Sequence, residues 1–182
     1  MNGEYIWGMK YVMPLAFLVV LGACGGGQPE AADQQVPADT TAVASLVVDL
    51  APHDVPFSLD LGDAATLGVD RVAVRFNEEF GWLEVRAGEH FALTIAEEPG
   101  DLARLKADLE RDMLQRHSVV QETSELLVYR SQFPDEDLTF VHFQRIVTLA
   151  GRTFVVRDAQ GGRLNEADVT RMAGSIRTQQ PA

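Results

Sequence analysis

The chain has 182 residues, a formal net charge of −12 with its four histidines neutral, and a single cysteine. Acid in this excess is repelled by nucleic acid and by anionic lipid surfaces, so neither is expected as a partner. One cysteine excludes an internal disulfide, a zinc–thiolate site and an iron–sulfur cluster, and the length supports one domain plus shorter segments.

In chain order the first feature is an apolar run from Tyr11 to Leu21, interrupted by Pro14. A transmembrane helix needs about 20 apolar residues, so this run has the length of a signal-peptide core instead. It ends in Leu21-Gly22-Ala23-Cys24, followed by Gly25 to Gly27. Those four residues resemble the lipobox of bacterial lipoproteins. The resemblance implies cleavage before Cys24, a diacylglycerol thioether on its thiol and a further fatty acyl chain, typically palmitate, on the new amino terminus. Two or three acyl chains hold a protein on a membrane where one holds only marginally. On this reading residues 1–23 are a signal peptide, 24–44 are the acylated Cys24 with a tether, and 45–182 are one α+β globular domain. A signal beginning at Met9 places Lys10 in a short positive leader, so translation is expected to start there. Cleavage removes Lys10 and Glu4 together and leaves the net charge at −12. In the same family an aspartate directly after the cysteine retains the protein at the inner membrane. Gly25 stands there, which implies an outer-membrane location facing the periplasm in a host with two membranes.

Residues 25–44 are poor in bulky apolar side chains and rich in Gly, Gln, Pro, Ala, Asp and Thr, the composition of a flexible tether. About 20 such residues span roughly 25 Å. Residues 43–50 read as a short strand or extended lead-in. Phe57, Leu59 and Leu61 alternate with Ser58 and Asp60 as in a half-buried strand, and residues 62–68 read as a loop. Val72, Val74 and Phe76 are predicted to share one face of the next strand. A turn at 77–81 leads to strands over 82–86 and 91–96. At Pro99 the periodicity becomes helical. Leu102, Leu105, Leu109 and Met113 form one stripe of a helix ending near His117, with Arg104–Asp108 and Lys106–Glu110 pairs on its outer side. Strands follow over 125–131, 138–149 and 152–158, the last two joined through Ala150-Gly151. Asn165 caps a final helix, Asp168 favours its positive end, and Val169, Met172, Ala173 and Ile176 form its buried stripe. The expected core includes Phe91, Leu93, Ile95, Leu105, Leu109, Phe143, Phe154 and Met172.

This order predicts an α+β fold, an antiparallel sheet with a central and a C-terminal helix packed on it. With Trp82 in an early strand, the run Phe91 to Ile95, the helix after Pro99 and the closing Met172 to Arg177, the chain resembles the PsbP-like class of small domains. Bacteria use that class in several lipoproteins. A cystatin-like curved sheet on a helix is the alternative.

His53, His90, His117 and His142 share no metal-ligand spacing, and His142, between Phe140 and Gln144, reads as a satisfied sheet histidine. The glycines form no phosphate-binding loop. Residues 158–162 lack the acidic positions of a calcium loop, and no cofactor is expected. No Gly-x-Ser-x-Gly occurs, and Ser131 and Ser175 have no recognisable base. The acid clusters Glu78-Glu79, Glu97-Glu98 and 135–137 read as solvated loop ends, or else as a loose surface for cations. Phe80, Trp82 and Phe133 read as rim packing, or else as an apolar recognition patch. Cys24, as the lipidation site, is the one functional residue assigned, and no catalytic or metal-binding residue is. The expected function is that of a membrane-anchored envelope lipoprotein, a non-enzymatic accessory binding a protein or polymer partner. A small-ligand carrier or a hydrolase with a site built from scattered residues is the alternative. A deep apolar pocket with convergent polar groups would favour that alternative.

Overall fold

The structure, a computed structural model, describes residues 45–178 apart from 70 and 163. The signal-peptide, lipobox and tether readings fall on residues 1–44 and lie outside the described residues. No described helix is long and apolar enough to cross a membrane.

The class is α+β, with antiparallel pairing in two sheets. Strands β1 (Ser45–Asp49), β2 (Ser58–Asp63) and β10 (Ile176–Arg177) form a small sheet in the order β1-β2-β10. The large sheet comprises β3 (Ala73–Asn77), β4 (Trp82–Arg86), β5 (Ala92–Glu97), β6 (Arg116–Glu122), β7 (Leu126–Gln132), β8 (Thr139–Leu149) and β9 (Arg152–Asp158). Its order is β3-β4-β5-β9-β8-β7-β6. The helices are α1 (Ala64–Leu67), α2 (Leu102–Arg111) and α3 (Glu166–Gly174).

Cross-strand partners stand on the same face of a sheet. One row therefore runs Leu127, Gln144, Arg157, Thr94, Glu84. The opposite face carries Val85, Leu93, Ile95, Phe143, Phe154 and Val156, all at most 2% exposed. The small sheet and α3 cover this second face. Phe57 meets Phe154 edge-to-face at 5.6 Å, and Arg145 Nη1 donates to the Ala173 carbonyl at 2.7 Å. Burying each such aliphatic or aromatic side chain contributes about 1.5–3 kcal/mol, which makes this the principal core. α3 starts as expected: Asn165 Oδ1 accepts the Asp168 N–H at 3.0 Å, and Asp168 Oδ2 accepts the Asn165 N–H at 3.2 Å. The β8–β9 turn places Ala150 at φ 53° and Gly151 at φ 75°, the two left-handed residues that the right-handed strand twist requires.

α2 lies on the first face, where Gly100 sits directly against the Ile146 side chain. Several expectations are corrected here. α2 stops at Arg111, and Arg116–Glu122 form the edge strand β6 instead of a helical tail. Nearly all of β6 is exposed, so its sequence carries no apolar alternation. Leu105 and Leu109 are only half-buried and Met113 is 95% exposed, because one short helix covers only part of a wide sheet face. Lys106 pairs with Glu122 at 2.7 Å, not with Glu110, since β6 brings that carboxylate within reach. Phe76 lies exposed on the edge strand β3, away from the core. Ile176 is buried, but in β10 and not on α3. Part of the expected 62–68 loop is α1, capped by Asp63, whose carboxylate accepts the Ala65 and Thr66 N–H groups.

Candidate functional site

Beyond the C-terminal end of α2, the first face of the large sheet is uncovered and forms a cavity of about 320 Å³. Sheet register sets its contents. His117 stands opposite Ser131, Tyr129 opposite His142, and Gln144 opposite Arg157. Asp112 closes the rim where the chain leaves α2. Its Oδ1 accepts the Leu114 N–H at 2.7 Å and the Gln115 N–H at 3.3 Å.

These residues form a continuous chain of contacts. His117 Nε2 lies 2.9 Å from Asp112 Oδ2, and His117 Nδ1 lies 2.9 Å from Ser131 Oγ. The His117 hydrogen bond, followed by the Leu114 N–H, holds the Asp112 carboxyl below its ordinary value of 3.8. Ser131 therefore has a histidine partner, which corrects the expectation that it has none. The three residues come from the end of α2, from β6 and from β7, and they meet only because β6 pairs with β7. No local motif announces them.

A Ser–His–Asp set can act as a nucleophile only if the serine oxygen reaches a substrate carbonyl. Ser131 is 2% exposed and the His117 side chain 9%. Both ring nitrogens of His117 are engaged, as in a working triad, but Nδ1 meets the serine and Nε2 the aspartate, the reverse of the chymotrypsin-type arrangement. The arrangement fixes a ring in the cavity wall instead of presenting a nucleophile.

His142 is held differently. Its Nδ1 lies 2.7 Å from Asp158 Oδ2, while Asp158 Oδ1 accepts the Phe143 N–H at 2.8 Å. The carboxylate is thus pinned, and Nε2 of a one-third-exposed ring makes no hydrogen bond among the described residues. The satisfied sheet histidine has a partner, and one nitrogen to spare. Tyr129 lies between the two histidines, its ring 6.1 Å from His117 and 5.3 Å from His142. Burial, reinforced by the Asp158 charge, pushes its hydroxyl up to about 12, so it stays a neutral donor and acceptor.

Arg157 continues the face. Its Nε donates to Gln144 Oε1 at 3.0 Å and its Nη2 donates to Glu98. Past it lies a smaller cavity of about 140 Å³ bounded by Trp82, Glu84, Thr94 and Gln160. Trp82 Nε1 donates to Glu84 Oε1 at 3.3 Å, and Phe80 stacks on the indole at 4.6 Å. Phe133 follows β7, several strands away, so the three aromatics do not form one patch. Of the acid clusters, Glu97 pairs with Arg152 and Glu98 with Arg157. Among the described residues no three His, Cys, Asp or Glu side chains gather where they could hold a metal ion. Cys24 lies outside the described residues. A largely apolar cavity of about 460 Å³ lies between Leu138, Phe140, Val141 and Leu164 beside the Arg130–Glu166 ion pair, and a cavity of about 360 Å³ that shares Phe140, Val141 and Leu164 with it reaches His142 and Asp158. In comparisons with known proteins the chain matches no protein-family model, no curated protein and no solved structure.

Proposed function

We propose that the chain is a lipid-anchored envelope protein whose folded domain is a non-enzymatic accessory, binding a protein or polymer partner beside the membrane. The observation that carries the non-enzymatic part is Ser131. Ser131 is 2% exposed, which keeps its hydroxyl out of reach of a substrate carbonyl. The anchor rests on Leu21 to Cys24. Cys24 carries the lipid, the membrane is the partner through that lipid, and the domain faces the periplasm from the outer membrane in a double-membrane host. For the fold we propose the PsbP-like class. It is favoured over a cystatin-like curved sheet because α2 and α3 pack on opposite faces of the large sheet.

A second reading, a carrier or a hydrolase with a scattered site, has one specific support. Asp158–His142 has the geometry of a general-base pair with a free Nε2. A serine-reactive fluorophosphonate and generic ester and amide substrates separate the two readings. The accessory reading expects neither labelling nor turnover. Labelling abolished by Ser131→Ala, or turnover abolished by His142→Gln, would overturn it. In the same cells, Cys24→Ser should leave an uncleaved precursor that carries no lipid. Processing that continues in that variant would refute the anchor.

A further inference from the structure

The strip from Trp82 to Tyr129 crosses β4, β5, β9, β8 and β7. At about 4.8 Å per strand this is a path of about 19 Å, long enough for several units of a polymer. The two cavities along it share Arg157, Asp158 and Gln160 in their walls, so they adjoin along the strip and together form the groove considered below.

Its electrostatics narrow the ligand. Anionic ligands are held by free guanidinium or ammonium groups, and cationic ones by free carboxylates. Among the described residues of this strip every carboxylate already accepts hydrogen bonds from its neighbours, and each arginine lies beside a carboxylate. Glu84 accepts from Arg86 and Trp82, Arg157 donates to Glu98 and Gln144, Asp158 is bonded to His142, and Asp112 to His117. Beside these pairs the strip offers further hydrogen-bonding groups. His142 Nε2 is unbonded, the Tyr129 hydroxyl stays protonated, and the exposed Gln160 amide offers both a donor and an acceptor. Ring faces flank these groups at both ends, Trp82 with Phe80 and Tyr129 with His142. Neutral hydrogen-bonding groups alternating with ring faces match a molecule with hydroxyls on its edge and C–H groups on its flat face.

We infer that this groove binds an uncharged, hydroxyl-rich glycan strand, which makes the polymer partner a polysaccharide. The inference rests on the proposed binding role. A protein segment would need apolar anchors or free charges to meet, and this strip offers few of either.

Removal of residues 1–23 takes away Trp7 and leaves Trp82 as the sole tryptophan, inside the groove. Its fluorescence therefore reads the site directly in the full processed chain. The chain is held in a detergent without a sugar headgroup and titrated with chitohexaose and maltohexaose. An acidic polysaccharide, polygalacturonate, and a lysine-rich peptide serve as contrasts. A saturable response to a neutral oligosaccharide is expected, unchanged between low and high salt because no ion pair forms. Gln160→Ala and His142→Gln should each weaken it about tenfold or more. The first is an exposed loop change that leaves the fold intact, so its effect cannot be assigned to unfolding. Glu89→Ala, outside the groove, should have no effect. No saturable response to either neutral oligosaccharide overturns the inference, as does binding that salt abolishes or that only the peptide shows. Shortening of the bound oligosaccharide, followed by mass spectrometry, would overturn the non-enzymatic reading while leaving the ligand class standing.

Discussion

Asp168→Ala tests how α3 is held. The Asp168 side chain is 3% exposed, and three groups depend on it. It accepts the Asn165 N–H at 3.2 Å and completes the helix cap, a contribution of about 1 kcal/mol. It meets His90 Nδ1 at 3.1 Å, but that ring is half exposed and contributes less than about 1 kcal/mol. It also lies 3.6 Å from Arg171 Nη1, a buried atom with no hydrogen-bond partner. Removing the carboxylate leaves that guanidinium with no anion in reach. The cost is below the 3–5 kcal/mol typical of a broken buried pair, because Arg171 is 28% exposed and can turn toward water. We take about 1–2 kcal/mol for it, and about 3 kcal/mol in all. For a domain of this size that lowers Tm by about 10 °C. Asp168→Asn keeps an acceptor for the cap and loses the charge, so it should cost about half as much. Glu166→Ala, two residues earlier and exposed, should cost less than about 1 kcal/mol. Urea unfolding followed by far-UV circular dichroism measures all three. A loss below about 1 kcal/mol for Asp168→Ala, or equal losses at Asp168 and Glu166, would refute the account.

Two further predictions concern packing and acid. A Cβ on Gly100 would stand 2.6 Å from Ile146 Cγ1 and Cδ1, so Gly100→Ala should cost about 1–3 kcal/mol by denaturant titration. Ile146→Ala removes the clashing atoms, so the double variant should be more stable than the sum of the single losses predicts, by about 1 kcal/mol. Strict additivity would show that the two do not touch. Asp60 has its folded pKa held below 3.8, first by the Ser45 hydroxyl, then by the Gly62 N–H and Arg177. Because the folded value lies below the unfolded one, its stabilisation is fully present above pH 3.8 and is lost as pH falls through the lowered value. Asp60→Asn should therefore destabilise at neutral pH and converge on the parent in strong acid, and a gap that persists unchanged in acid would count against it.

The fold was legible where one face of a strand is buried and the other is not. Residues 82–86 and 152–158 form strands with the bounds that alternation and turn residues predict. Ala150-Gly151 marked its hairpin because glycine readily takes the left-handed conformation that a two-residue turn between right-twisted strands favours. Asn165 and Asp168 marked a helix start because the capping bonds are local. β6 was not legible. An edge strand with both faces near solvent needs no apolar residue at any fixed position, so Arg116 and His117 read as the end of the preceding helix and residues 118–122 carried no strand signal. The stripe of Leu102, Leu105 and Leu109 was real, yet periodicity states only which side a helix turns to its neighbour. It does not state how completely the neighbour covers it.

The site follows from that same gap. His117 sits next to Ser131 only through the β6–β7 register, and next to Asp112 only because α2 ends at Arg111. A sequence that hides β6 hides both contacts, and a search for catalytic spacing along the chain cannot find groups that meet across strands. The half-covered face is the common cause. Because α2 is too short to seal the sheet, the residues beyond its end must satisfy one another, and they do so as Asp112–His117–Ser131 and Asp158–His142. Whatever binds there meets carboxylates whose oxygens are already hydrogen-bonded by neighbours. It is this, more than any single residue, that argues for recognition by neutral hydrogen bonds over chemistry at a free nucleophile.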